Sequence, residues 1–170
     1  MIVKAYMTNG TLHFLIKLVE KHTNIHFLFM NNPTSTLAYY EGEEKSVFAA
    51  GREYHVVIKS GKMIEGGYVA MNNIPVTTEG APILEHQFQK RRTAIEAMPG
   101  FRAFRLLRPK KGHTYIALTQ WSSELYIENW MDSEEFSEVH RGQGIKQPAY
   151  FPERPFLTRY RVLEADELPN

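Results

Sequence analysis

The 170-residue sequence predicts an α+β fold, and three observations carry that expectation. Leu84, Phe88, Ile95 and Met98 recur at helical spacing in a stretch that opens at Thr77-Thr78-Glu79-Gly80, with Pro82 in its first turn, and closes at Pro99-Gly100. Short runs rich in β-branched and aromatic residues surround it, at Tyr68–Ile74, Phe101–Leu107, His113–Gln120 and Phe156–Leu163. A second helical stretch opens at Ser122-Ser123-Glu124, between the last two of those runs. The resulting order, β-α-β-β-α-β over roughly 100 residues, is the ferredoxin-like split unit.

The preceding residues are expected to echo it incompletely. Ile2 to Met7 reads as a strand. Thr11 then caps a helix over residues 11 to 22, with Leu12, Leu15, Ile16 and Val19 on its apolar stripe. Ile25 to Met30 reads as a strand stopped by Asn31-Asn32-Pro33. Leu37–Tyr40 and Ser46–Ala49 are expected to pair as a hairpin, and Glu53–Lys59 to form a short helix. Gly61 and Gly66-Gly67 mark an internal boundary, giving an N-terminal α+β extension (1–65) and a principal domain (66–163).

Composition narrows the chemistry. The chain is 43% apolar and 23% charged, enough for a packed core. A net charge of +1 supplies no electrostatic footprint for nucleic acid. With no cysteine, thiolate metal sites and cysteine nucleophiles are excluded, and a cytoplasmic location is expected. MIVKAYMTNG lacks the apolar core of a signal peptide, and no run approaches a membrane span.

The segment with the most chemical content is WSSELYIENWMDSEEFSEVH, from Trp121 to His140. Trp130 falls on a helix, and Asp132-Ser133-Glu134-Glu135 is a second cap signal, so the helix is expected to break and restart. On one straight helix, Trp130 and His140 would diverge by roughly 80°. A break lets them converge, and a large ring beside a potential iron ligand suits a planar, iron-bearing molecule. Trp121 reads as core. His86 lies about 200° from Leu84 on its helix and should face water. The remaining histidines show no paired ligand spacing.

Taken together, NNIPVTTEG (72–80), EAMPGF (96–101), LLRP (106–109) and the Trp121, Trp130, His140 series resemble the heme-degrading monooxygenases of the antibiotic-biosynthesis monooxygenase (ABM) superfamily. The resemblance implies a dimeric α/β-barrel architecture, with the N-terminal extension as a built-in pseudo-partner. It implies heme as both substrate and cofactor, opened with O2 and electrons from an outside reductase or chemical reductant, with release of iron. It assigns His140 as axial iron ligand, Trp130 as the bulk that bends the porphyrin, and an asparagine that donates on the open side of the iron. Asn72 and Asn73 both present themselves; the seven-residue distance to Gly80 selects Asn73. Phe88 is expected to line the heme plane and Arg91 to pair with a propionate. A monomer or homodimer with one heme per chain follows. A signalling branch of the same superfamily lacks this Asn and Trp. Two other readings share the fold: a heme-binding or signalling module that does not turn heme over, and a cofactor-free monooxygenase acting on an aromatic substrate.

Overall fold

A computed structural model describes residues 3–136 and 152–168. Eight strands are described: β1 (Lys4–Asn9), β2 (Leu28–Asn32), β3 (Ser35–Gly42), β4 (Arg52–Gly61), β5 (Tyr68–Pro75), β6 (Phe101–Pro109), β7 (Thr114–Trp121) and β8 (Phe156–Val162). The helices are α1 (Leu12–Lys21), α2 (Ala81–Glu96), α3 (Glu124–Met131) and the single turn α4 (Glu134–Phe136). The strands close into an antiparallel barrel in the order β1-β3-β2-β8-β5-β7-β6-β4.

That order contains the same pattern twice. The C-terminal strands read β8-β5-β7-β6 and the N-terminal strands read β4-β1-β3-β2. Each is the fourth, first, third and second strand of its half. The N-terminal half is therefore a second ferredoxin-like sheet, with a loop over residues 43–51 where the second helix would stand. The halves join at β2–β8 and β4–β6. Closure removes the sheet edges that an open four-stranded unit would expose.

Two N-terminal expectations fail here. Glu53–Lys59 is not a helix: it lies in β4, paired with β1 on one side and β6 on the other. Its run of Val56, Val57 and Ile58 favours the pleated state, and a short apolar run does not by itself distinguish strand from helix. Residues 37–40 and 46–49 do not form a hairpin. β3 pairs instead with β1 and β2. The β2–β3 turn is set by Asn32, whose Oδ1 accepts from the amides of Thr34 and Ser35 at 3.0 and 2.9 Å. Residues 46–49 leave the sheet, and Phe48 packs edge-on against Tyr40.

Strand alternation separates the core into layers. Met7, Met30, Leu37, Val69, Met71 and Leu118 fill the barrel. Ile74, Leu84, Phe88, Phe104, Leu106 and Ala117 lie between the sheet and α2. Ala70, Trp121, Ile127, Trp130 and Phe136 lie between the sheet and α3–α4. Because both faces of β5–β7 are covered, these strands read as near-continuous apolar runs.

The turn from α2 into β6 depends on Gly100, whose φ is +81°. A Cβ there would lie 2.2 Å from the Tyr126 ring on α3. Gly100→Ala therefore combines a left-handed backbone with overpacking. It is expected to cost at least about 2 kcal/mol and to lower Tm by roughly 4–8 °C, readable by calorimetry.

α2 is also fastened to the β6–β7 hairpin by a polar cluster. Arg108 forks onto Glu85 through two hydrogen bonds of 2.9 Å, and the Tyr115 hydroxyl donates to the same carboxylate. Arg108, on the hairpin, is thus paired with an acid that α2 brings to it. Burial alone would raise the Glu85 carboxyl, but the bonds from Arg108 and Tyr115 outweigh it and hold the group below its usual 4.5. Burial, then the bond to Glu85, pushes Tyr115 up to about 12. The depressed Glu85 value gives stability above the unfolded pKa that is lost as pH falls through the folded one. The raised Tyr115 value gives stability below 10 that is lost as pH climbs toward 12. Glu85→Gln should flatten the acid limb of the urea-midpoint profile, by about 1 kcal/mol or less because the cluster is partly exposed.

Candidate functional site

Of the expected site residues, Phe88 and Arg91 are carried by α2 and Trp130 by α3, the helices that cover the outer face of the C-terminal sheet. α3 begins after Ser123 and ends at Met131. Ser133 then bridges the break: its Oγ donates to the Trp130 carbonyl at 2.5 Å and accepts from the Phe136 amide at 3.3 Å. The helix breaks and restarts where the second cap signal stands.

Trp130 is 1% exposed. Its ring is held between Trp121, tilted at 36° with centroids 5.3 Å apart, and Phe136, which meets it edge-on at 4.9 Å. Trp121 is core, as expected, and packs edge-on against Phe101. The indole of Trp130 is therefore buttressed from two sides by large rigid rings. A molecule pressing on it cannot displace it by a rotamer change alone.

Phe88 is fully buried on α2 and stacks on Phe104 at 5.7 Å. Arg91, one turn further, is half-buried, whereas His86 is exposed, as its helical phase requires. His140 lies outside the described residues. Among the described residues, the one cluster with metal-ligand geometry is Glu164, Asp166 and Glu167, exposed and without histidine.

The structure does not bring Asn73 to Trp130 and Phe88. On β5, Val69 and Met71 point into the barrel, and Asn73 follows them in alternation. Its Nδ2 donates across to β8, to the Phe156 carbonyl at 3.2 Å and Thr158 Oγ1 at 3.3 Å, and back to the Met71 carbonyl at 3.2 Å. Asn73 ties two strands together at a barrel mouth. Asn72 follows Ala70 and Ile74 onto the helix-covered face and is 2% exposed. Its cross-strand partners are Ala117, which packs with Phe88, and Leu157, which packs with Trp130. Asn72 thus stands at the seam between the α2 and α3 layers. The signal for it was present in the sequence: both helices pack outside the sheet, so the asparagine in phase with Ala70 and Ile74 is the one on their side of it.

Arg159 gave no sequence signal. It lies opposite Ala70 on the same face of β8. Its Nη1 pairs with Glu128 at 2.6 Å and its Nη2 donates to Met131 Sδ at 3.0 Å, fixing the end of α3 against the sheet. The side-chain bonds from Arg159 hold Glu128 below its ordinary value. Two cavities of about 420 and 510 Å³ open elsewhere, and neither is lined by Asn72, Phe88 or Trp130. No helix among the described residues is long and apolar enough to cross a membrane.

Comparison with known proteins follows this geometry. Residues 67–142 match the family described as antibiotic biosynthesis monooxygenase. The chain is 26% identical over 136 residues to a heme-degrading monooxygenase of Listeria monocytogenes, covering 80% of this chain and 81% of that one. It is also 26% identical over 135 residues to the signal transduction protein TRAP of Staphylococcus aureus, covering 79% and 81%. The solved structure of LmHde, a heme-degrading enzyme from Listeria monocytogenes, superposes with a TM-score of 0.71 at 24% identity, covering 93% of this chain and 98% of that one.

Proposed function

From an ABM domain carried on the ferredoxin-like fold of that family, we propose that this chain is a heme-degrading monooxygenase. Heme is its substrate, opened with O2 and electrons from an outside donor, and iron is released. The observation that carries this reading is one outer face of the C-terminal sheet on which the buried Asn72 lies between the layer that holds Phe88 and the layer that holds Trp130. The donor set suits a porphyrin: rings for its plane, and one hydrogen-bond donor where charge develops during oxygen chemistry. The heme supplies the redox chemistry. The chain's own residues hold the ring, press on it through Trp130 and place the Asn72 amide. His140 is proposed as the iron ligand and Arg91 as a propionate partner.

The organisation of the chain supports one site. We propose that residues 1–65 stand in for a second subunit and that residues 66–163 hold the heme. The corresponding outer face of the N-terminal sheet is filled by stacked Tyr6 and Tyr40, with Phe27 and Phe48 against them. Hemin titration followed at the Soret band should saturate at one per chain; a stoichiometry of two would sink the pseudo-partner reading.

The decisive experiment adds ascorbate to the hemin complex with catalase present. Loss of the Soret band with iron release is the expected result. A band that persists after reduction favours the second reading, a heme-binding or signalling module without turnover; the equal identity to the signal transduction protein TRAP supports a signalling role. Absence of any band shift would instead point to a cofactor-free oxygenase.

A further inference from the structure

The cavity of about 420 Å³ lies at the barrel mouth bordered by Glu41, Gly61 and Met63. It is separate from the helix-covered face and is not used by the heme reading. Its volume is within the ~300–1,000 Å³ range of small-molecule sites. Its floor is Arg105, an arginine inside a barrel: the side chain is 2% exposed. It points inward because it shares the phase of Ala103 and Leu107 on β6.

Arg105 is held rigidly but incompletely. Nε donates to Glu41 Oε2 at 2.7 Å, and Nη1 donates to the Ser60 and Phe104 carbonyls at 3.0 and 2.9 Å. Its Nη2 has no acceptor among the described residues, although Arg105 lines the cavity. Tyr39 donates to the same Glu41 oxygen. Burial and the Glu41 carboxylate push the Tyr39 phenol well up, so it remains a donor. Glu41 Oε1 faces Lys59 Nζ at 3.8 Å. Around the cavity, Lys59, Lys62 and Arg105 oppose Glu41 and Glu43, leaving a net positive charge before His26 is counted. Leu28 and Met63 supply apolar wall. Nη2 is not fully enclosed, so it opens onto the cavity and can donate to a ligand's acceptor.

We propose that this mouth binds a small organic carboxylate, its anionic end on Arg105 Nη2 and Lys59 and its apolar end against Leu28 and Met63. The fixed guanidinium selects a planar acceptor over a neutral amide. Lys59 is 54% exposed and adds attraction at the rim.

The test is an NMR titration of the full-length, isotope-labelled protein with 3-phenylpropionate, and in parallel with 3-phenylpropanamide. Saturable shifts centred on Leu28, Tyr39, Lys59 and Met63 are expected for the acid, with the amide about tenfold weaker or more. Lys59→Glu reverses the rim charge while the Arg105 bonds to the Ser60 and Phe104 carbonyls stay in place; it should weaken the acid about fivefold or more. Arg105→Gln should abolish binding if it folds; Lys59→Glu keeps the test decisive if it does not. The proposal is overturned if no saturable shift appears, if the amide binds as well as the acid, or if Lys59→Glu leaves the affinity unchanged. Competition by hemin would also overturn it, by assigning the probe to the heme face.

Discussion

Trp130→Ala is expected to bind hemin and to lose turnover on the order of a hundredfold or more, equivalent to about 2.7 kcal/mol of barrier. The reason lies in how the ring is held. Trp121 and Phe136 support the indole on two sides, so it transmits force to whatever lies against it. Alanine removes the bulk and leaves a void that the neighbours fill only partly, which costs stability as well, roughly 3–5 kcal/mol for so buried a tryptophan. Turnover must therefore be scored per bound heme, as loss of Soret absorbance normalised to its starting height, below the melting range of the variant. Trp130→Phe separates the two effects. It keeps an aromatic edge against Phe136 and should fall between parent and alanine in rate. If Trp130→Ala degrades its bound heme at the parent rate, Trp130 is core alone and the porphyrin is not bent by it.

The C-terminal half was legible because its signals are redundant. β5, β6 and β7 are covered on both faces along most of their length, so their apolar runs are long. α2 carries a full stripe between Pro82 and Gly100. The break after Trp130 was readable because Ser133 is a cap residue in the right place, and in the structure its hydroxyl makes both bonds of the junction. The N-terminal half was less legible for a physical reason. β4 takes its identity from two partners remote in sequence, β1 and β6; no local pattern encodes that closure. The loop over residues 43–51 replaces a helix, and its anchors are single contacts, such as the Val47 amide donating to the Tyr40 hydroxyl at 2.8 Å.

The same closure bears on function. A dimeric barrel made of two identical units carries two equivalent outer faces. In this chain the two halves differ: one outer face holds an amide and a buttressed indole, and the other is packed with Tyr6, Phe27, Tyr40 and Phe48. The N-terminal half has the strand order that closes the barrel, with a loop over residues 43–51 in place of a second helix; on the proposed reading it carries no second site. The polar mouth at Arg105 also depends on this fusion, because Arg105 comes from one half and Glu41 from the other.

Asn72→Ala and Asn73→Ala should separate cleanly, although the residues are adjacent. Spacing to Gly80 alone selects Asn73, but a count along the chain ignores that successive side chains on a strand point to opposite faces. Asn72 stands on the face where Phe88 and Trp130 pack; Asn73 donates to Phe156 and Thr158 on β8. A preorganised donor aimed at developing charge in a dry site is worth about 2.7–4 kcal/mol. Asn72→Ala should therefore keep hemin affinity within a few-fold and slow its degradation by about a hundredfold to a thousandfold. Asn73→Ala removes cross-strand bonds and should cost about 1 kcal/mol of stability, with degradation near the parent rate at temperatures where both proteins are folded. Urea midpoints and Soret decay on the same preparations decide it. Equal rates in Asn72→Ala and parent, with a slow Asn73→Ala, would reverse the assignment and place the heme on the barrel-mouth side of β5.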